Sequence, residues 1–456
     1  MEKGDGGLKE KTRKLSIKEG VFAGIMDGAG VRYITPYALA VGANNAQIGF
    51  LTSISTLLGT FSQLFTHKAI EKFSRRKVMI VGVLLQALMW IPLIFVGYLF
   101  FYKDISPMLS ATLVILFYTL ITIFGSFISP AWNSLMKDDV EKDRGNYFGN
   151  RTRILDFTGL VVMFACGFML NYFSKINLFV GFAILFGIAF LSRSISAYLF
   201  NKHYDPPLKL QSEHYFSLFQ FTKKIPVSNF GKFTLGMALI TFGRYIATPF
   251  FSVYILKDLQ FNYAIWTLII VAGILGSLLF VPFWGKFADN YGNLKVLKLA
   301  GILIPLVPLL WFFSFFILKF GIIPTVIYLF VVEIFSGFIL SGFNLCTRNF
   351  IYDAVTREKV SLCISYYNIF NGVAIFFGAI IGGAIASLEF NFFGISPILF
   401  LFLLSTLLRF LFYMVLMPKV KEVREIGIYK EGDFVRELRE AIFPKPMLHT
   451  KNHAVN

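Results

Sequence analysis

The sequence predicts an all-α membrane protein, with twelve transmembrane helices arranged as two parallel six-helix bundles. Three observations predict it. Apolar residues come in long unbroken runs, each close to the ~20 residues that one helix needs to cross a bilayer. Basic residues collect on alternate connections between those runs. Features of the first half of the chain return in the second at a nearly constant distance. A transmembrane barrel would instead alternate apolar and polar residues in strands of ~10.

Composition fits that class. Of the 456 residues 56% are hydrophobic and 18% aromatic, against about 45–50% apolar in soluble domains. Mean hydropathy is +0.68. Charged residues make up 15%, with a net charge of +17. Such a balance can mark a nucleic-acid binder, but those interleave aromatics with basic residues. Here the aromatics lie inside the apolar runs and the bases outside them, so nucleic acid is excluded as a partner and the bilayer takes its place. Cys166, Cys346 and Cys363 fall in or beside apolar runs at no disulfide or metal spacing. His67, His203, His214, His449 and His453 lie in connections or tails, so no metal site and no cofactor are expected.

Taken in order, residues 1–19 form a charged tail with Lys3, Lys9, Lys11, Arg13, Lys14 and Lys18. No small-residue cleavage site follows, so this reads as an anchored start and not a removed leader. Six spans follow near 20–42, 46–66, 78–101, 107–135, 154–173 and 177–201, giving a first bundle over 20–201. Residues 202–231 lose the apolar run, carry Asp205-Pro206-Pro207, and form a linker with a short helix around Phe216–Lys224. Six more spans lie near 233–256, 262–284, 297–318, 323–347, 360–388 and 396–417, a second bundle over 232–417. The tail 418–456 is basic, and Phe434, Leu438 and Ile442 at i, i+4 and i+8 suggest an amphipathic interfacial helix. The two tails and the even-to-odd connections hold 35 of the 43 lysines and arginines. The opposite connections hold only Lys103, Lys175, Lys257 and Lys319. Because cytoplasmic loops are enriched in Lys and Arg, both termini are expected in the cytoplasm of a cell whose plasma or inner membrane the chain spans.

The remaining four arginines sit inside spans as two pairs. Arg32 in Arg32-Tyr33-Ile34-Thr35-Pro36 answers Arg244 in Arg244-Tyr245-Ile246-Ala247-Thr248-Pro249, and Arg193 answers Arg409. Spans 4 and 10 run into Asp138-Asp139-Val140-Glu141-Lys142-Asp143-Arg144 and Asp353-Ala354-Val355-Thr356-Arg357-Glu358-Lys359, and the connections after spans 2 and 8 match as well. The offsets are 212, 216, 215 and 218 residues, which indicates a duplicated six-helix unit in the same orientation. The second of these connections, Gly285-Lys286-Phe287-Ala288-Asp289-Asn290-Tyr291-Gly292-Asn293-Leu294-Lys295, resembles the loop motif of the major facilitator superfamily. The first copy is degraded: His67, Glu71 and Ser74 precede Arg75-Arg76-Lys77. Ser129-Pro130-Ala131-Trp132 through Arg151 is similar to an uncharacterised prokaryotic branch of the same family.

Arg32 and Arg244 lead the candidate residues. Each lies about 12 residues into its span, ~18 Å deep at 1.5 Å per residue, where a guanidinium costs about 2.5–3.5 kcal/mol or more. The resemblance implies that spans 1 and 7 face each other across a central cavity, where two guanidiniums would clamp a carboxylate or phosphate. The alternative is that each is neutralised by a carboxylate and merely holds helices together. Tyr33, Tyr245, Asn133 and Asn344 join them as substrate-binding candidates, with Trp132 and Asn371 as further cavity residues or interhelical links. Asp27 precedes Arg32 by five residues, ~140° around a regular helix, so the two need not pair. Asp27 and Glu333 are the candidate proton carriers, because a dry environment favours the protonated form of a carboxyl; structural ion pairing is the alternative. The resemblance implies that Glu71, Arg75, Arg76 and Lys77, with Gly285, Asp289, Gly292 and Lys295, latch a gate on the cytoplasmic side. Pro36 and Pro249 break helix hydrogen bonds, and Gly378, Gly382 and Gly383 offer a face for close packing. Arg193 and Arg409, near span ends, are expected to snorkel as anchors.

Together these readings imply a monomeric secondary transporter that moves a small solute, preferably an organic anion, by rocking the two bundles, driven by protons in symport or antiport. Efflux of lipophilic cations held by Asp27 and Glu333 is the alternative within transport. A non-transporting receptor or scaffold and a membrane-embedded enzyme are alternatives from other classes. No Gly-rich phosphate loop ending in Lys-Ser/Thr is present to support direct ATP use.

Overall fold

The computed structural model describes residues 3–140, 144–205, 217–356, 359–390, 395–424 and 432–442, and among them no β-strand occurs. The apolar runs are helices. α1 comprises Lys3–Ala29, a 3-10 turn at Val31–Tyr33, and Ile34–Ala40. It is followed by α2 (Asn45–Lys72), α3 (Arg75–Lys103), α4 (Pro107–Asp139), α5 (Arg144–Phe173) and α6 (Leu178–Asn201). The second half repeats the plan with α7 (Asn229–Asp258), α8 (Tyr263–Tyr291), α9 (Asn293–Phe320), α10 (Ile322–Ala354), α11 (Val360–Ala386) and α12 (Pro397–Lys419). All but α1 are long and apolar enough to cross a bilayer; α1 carries a charged first part and a break at Gly30. α4 and α10 outrun their expected ends at 135 and 347, so Arg348 belongs to a helix and not to a loop. Side-chain oxygens of Asn44, Ser106, Asn177, Ser228, Asn262 and Ser396 accept from the backbone amide three residues on, each capping a helix start that would otherwise leave donors unmet.

The two interrupted helices are α1 and α7. Pro36 cannot donate to the Arg32 carbonyl, nor Pro249 to the Tyr245 carbonyl. α7 accordingly stops at Tyr245, restarts at Phe250 and ends in a π-turn at Tyr254–Asp258. Glycines set the closest helix contacts. A Cβ on Gly378 or Gly382 of α11 would strike the Phe242 or Ile246 carbonyl of α7, while Gly383 lies against Gly49 of α2. Gly337 and Gly273 join α10 to α8 in the same way. Small residues let backbones approach where lipid offers no hydrophobic drive for helix association.

Arg193 and Arg409 do not snorkel. Arg193 is buried and donates to Glu19 at 3.0 Å and to Gln86 at 2.7 Å. Glu19 also binds Arg151 at 2.7 Å, so one carboxylate on α1 ties α5 and α6 together. Arg409, also buried, donates to the carbonyls of Ile304 and Arg244, both at 3.2 Å. Each arginine has inward partners that outweigh a stretch to the surface. The linker contains a short helix, Leu218–Lys224, whose Phe221 is buried against Phe230, Tyr366 and Phe370. The C-terminal helix Asp433–Ile442 sets Phe434 against Phe283, Trp284 and Phe287 of α8, so its apolar side meets protein. The Ile442 side chain, residues 141–143, 206–216 and 357–358, and the tail beyond 442 lie outside the described residues, and with them parts of the repeated acidic–basic motif and the Pro206-Pro207 stretch.

Candidate functional site

The two halves are sealed at the face remote from the chain termini. There the Tyr33 hydroxyl of α1 lies 3.2 Å from the Thr267 hydroxyl of α8, and the Tyr33 ring is 5.3 Å from that of Trp266. Lys257 at the end of α7 donates to the Ala43 carbonyl at 2.8 Å, and Asn45 of α2 donates to the Ala386 carbonyl of α11 at 2.6 Å. Deeper toward the terminal face, Arg32 keeps 40% of its side-chain surface accessible although it packs beside α4 and α5. With the far face closed, the route to Arg32 runs from the terminal face.

Arg32 and Asp27 pair at 2.9 Å. Angular counting along an unbroken helix gave no reason for this, but the turn at Gly30 redirects the chain between them. Asp156 of α5 and Tyr118 of α4 lie within electrostatic reach of both. Tyr118 also senses Tyr245 from the other half, which places this cluster on the wall between the bundles.

On the opposite wall Arg244 is half-buried, with its guanidinium carbon 6.0 Å from the Phe343 ring centroid and its charge close to Tyr245 and Tyr367. It forms no ion pair with a described carboxylate. Nearby, the Asn371 side-chain oxygen accepts from Thr241 at 2.8 Å, and its amide donates to the Tyr367 carbonyl at 2.9 Å. Tyr367 lies within reach of both Arg244 and Arg348. Asn344 and Arg348, one turn apart on α10, are exposed, as is Asn133 on α4. Asp156, Tyr118, Tyr367 and Arg348 escaped the sequence reading. Asp156 and Arg348 carried usable signals: a carboxylate inside the span near 154–173, and the continuation of the α10 pattern past Thr347.

Tyr33 follows Arg32 by one residue and so points elsewhere: it is buried, donating to the Met163 carbonyl at 2.6 Å in the far seal. Tyr245 is half-buried beside Gly378. Glu333 lies in the interior of the second bundle, between α8, α9 and α10, accepting from the Trp311 indole at 2.9 Å and close to Gly273. The ties described for the first copy of the loop motif lie within its own half. Arg75 is buried, bound to Asp138 at 2.5 Å and to Asp205 at 3.0 Å, tying α3 and α4 to the chain after α6. Arg76 donates to the His203 carbonyl at 3.3 Å, Glu71 pairs with His67 at 3.2 Å, and the Lys77 amide is capped by Ser74. In the second copy, Gly285 and Lys295 are half-buried and Asp289 is exposed. Gly292 takes φ +88°, a conformation suited to glycine, where α8 turns into α9. Lys286 pairs with Glu437 of the C-terminal helix at 3.3 Å, and Glu422 caps α9 through the Leu294 amide at 2.8 Å.

Two interrupted helices meet from two repeated bundles that are tied together at the remote face, and the family model described as Major Facilitator Superfamily matches residues 20–229 and 233–448. The chain belongs to that superfamily. Its fold is the twelve-helix fold of these secondary transporters, which bind small molecules within a membrane. Solved structures with the same fold include the nucleoside transporter NupG, at 15% identity and TM-score 0.65, covering 90% of this chain and 99% of that one. A bacterial homologue of the iron transporter ferroportin in its inward-facing state matches at 13% and 0.66, covering 89% and 98%. A bacterial homologue of the lysosomal transporter Spinster, inward-facing and unoccupied, matches at 15% and 0.52, covering 91% and 98%. At such identities the likeness concerns the fold alone. No curated protein matches the chain.

Proposed function

We propose that this superfamily member moves a small organic anion by alternating access, with Arg244 as the principal anchor for the anionic group. The observation that carries this reading is the asymmetry of the two repeated arginines. Arg32 already has Asp27 at 2.9 Å, whereas Arg244 meets no carboxylate among the described residues and lies among Tyr245, Tyr367 and Phe343. A guanidinium partly withdrawn from water without an anion is costly, and a carboxylate or phosphate guest would supply two charge-assisted hydrogen bonds. Arg32 contributes when Asp27 releases it, so the pair can act as an adjustable second contact.

With the basic face in the cytoplasm, the conformation is open inward, and the protein acts as a monomer in the plasma or inner membrane without enzymatic chemistry. Residues 20–201 and 232–417 are the moving bundles and 202–231 the tether. Glu333 is the proposed proton carrier: its one described polar partner is the neutral Trp311 indole, so it can take up and release a proton without breaking an ion pair. Asp289 and its motif neighbours latch the inner mouth in the alternate state.

A thermal-shift screen on purified protein, with matched panels of organic anions and lipophilic cations, tests the reading. Anions should raise the melting midpoint of the wild type and lose that effect in Arg244→Ala. Stabilisation by cations alone overturns the choice of anion and leaves the carrier architecture standing.

A further inference from the structure

Arg409 of α12 is a buried cation that the site described above does not use. It is 4% exposed, and an arginine keeps its proton when buried. Its acceptors are two backbone carbonyls, Ile304 of α9 and Arg244 of α7, both at 3.2 Å. The Ile304 carbonyl is open to it because Pro308, four residues on, has no amide to give. The Arg244 carbonyl also takes the amide and hydroxyl of Thr248, at 3.0 and 2.9 Å. The Arg409 Nε finds no acceptor, and the side chain forms no ion pair with a described carboxylate. Tight packing fixes it in place. The Ser405 hydroxyl, one turn earlier on α12, donates to the Gly243 carbonyl at 2.6 Å, and a Cβ on Gly243 would lie 3.3 Å from the Arg409 amide nitrogen.

The repeated arginine of the first half is handled differently. Arg193 shares the Glu19 carboxylate at 3.0 Å and gives its Nε to Gln86 at 2.7 Å. Arg32 likewise has Asp27 at 2.9 Å. In the second half neither member of the repeated pair meets a described carboxylate, and Arg409 stands directly behind the backbone that carries Arg244. Carbonyl dipoles solvate a guanidinium but bring no net charge. Two positive charges therefore stand together there, and a guest with one negative charge would balance only one of them.

We propose that Arg409 is a specificity-determining residue, a covered positive charge behind Arg244 that makes the site favour doubly charged organic anions over singly charged ones of the same shape. Phosphate monoesters and dicarboxylates are the matching class. The inference rests on Arg244 as the anion anchor and adds the charge of the guest. Protein, not water, separates Arg409 from Arg244, so its field reaches the guest with little screening. An unscreened charge roughly 10 Å away is worth about tenfold in affinity for each charge on the guest.

Ligand-dependent thermal shifts of the purified full-length protein test it. The probes are pairs matched in shape and differing by one charge. One pair is a phosphate monoester and the sulfate monoester of the same alcohol, above pH 7, where the phosphate (second pKa about 6) is a dianion. The other is a dicarboxylate and its monoamide. Wild type should bind each dianion at least about tenfold more tightly than its partner. Arg409→Gln should lower that ratio about tenfold, because the dianion loses the attraction twice and the monoanion once. Arg409→Lys keeps the charge and should keep the ratio. Ser405→Asp sets a carboxylate one turn from Arg409, should lower the ratio likewise, and serves where Arg409→Gln does not fold. A merely structural role for Arg409 would weaken both members of a pair alike. Equal affinities within the pairs for wild type, or an unchanged ratio in a folded Arg409→Gln or Ser405→Asp, overturns the inference and leaves Arg244 as the anchor. Failure of every anion, of either charge, to stabilise wild type overturns the anion reading and this inference together.

Discussion

Removing Glu19 is the sharpest test of how the first bundle is held. Its carboxylate is 3% exposed and binds Arg151 at 2.7 Å and Arg193 at 3.0 Å. Glu19→Ala strands one buried and one half-buried guanidinium, and breaking one buried pair commonly costs about 3–5 kcal/mol. Both arginines keep other partners, so the lower end applies. Arg193 retains Gln86, and Arg151 retains the Ser16 carbonyl and the face of Trp132, 4.2 Å from its guanidinium carbon. For a cooperative unit of about 200 residues, roughly 2–4 °C is lost per kcal/mol, so about 3 kcal/mol lowers the midpoint by about 6–12 °C. Heating detergent-solubilised protein and following the monodisperse peak by size exclusion gives the number. Glu19→Gln keeps the shape and one acceptor oxygen, and should fall between wild type and Glu19→Ala. A midpoint for Glu19→Ala within ~2 °C of wild type refutes the argument that this carboxylate holds α1, α5 and α6 together.

Three further outcomes are expected. Gly382→Leu forces a side chain into the Ile246 carbonyl and should destabilise by about 1–3 kcal/mol or more, whereas Gly187→Ala, with nothing within 4 Å of the new carbon, should leave the thermal midpoint unchanged. Lys257→Met keeps the stem but loses the bond to Ala43, about 1.5–3 kcal/mol for a charged donor. Labels across the remote face should then report an open population raised roughly tenfold or more, and an unchanged distribution sinks the assignment of Lys257 to that seal. Glu333→Gln preserves an acceptor for Trp311 and should abolish uptake driven by a pH gradient; gradient-driven uptake at the wild-type rate removes Glu333 from proton coupling.

Helix number and internal duplication were readable because they rest on hydropathy and spacing, which a bilayer enforces along the whole chain. The partner of each charge was not, because side-chain direction depends on local breaks and on helices distant in sequence. Gly30 shows this within one helix: angular counting from Asp27 to Arg32 assumes a continuous α-helix, and the turn there invalidates it. Arg193 and Arg409 lie near span ends, which by itself suggests snorkelling. Glu19 lies 174 residues before Arg193, and the Ile304 carbonyl is offered by a neighbouring helix. Adjacency in sequence groups Tyr33 with Arg32, although consecutive residues leave a helix about 100° apart. The glycines of α11 were legible as a packing face, but not that Gly378 and Gly382 serve α7 while Gly383 serves α2.

The most direct measurement is uptake of a radiolabelled anion, chosen from those that stabilise the purified protein, into proteoliposomes containing either wild type or Arg244→Ala. Losing a desolvated charge contact costs about 2–5 kcal/mol, so the variant's affinity for the anion should fall roughly thirtyfold or more. Transport by Arg244→Ala with wild-type affinity would contradict the account, because the guanidinium that meets no carboxylate among the described residues would then not be the group that receives the guest.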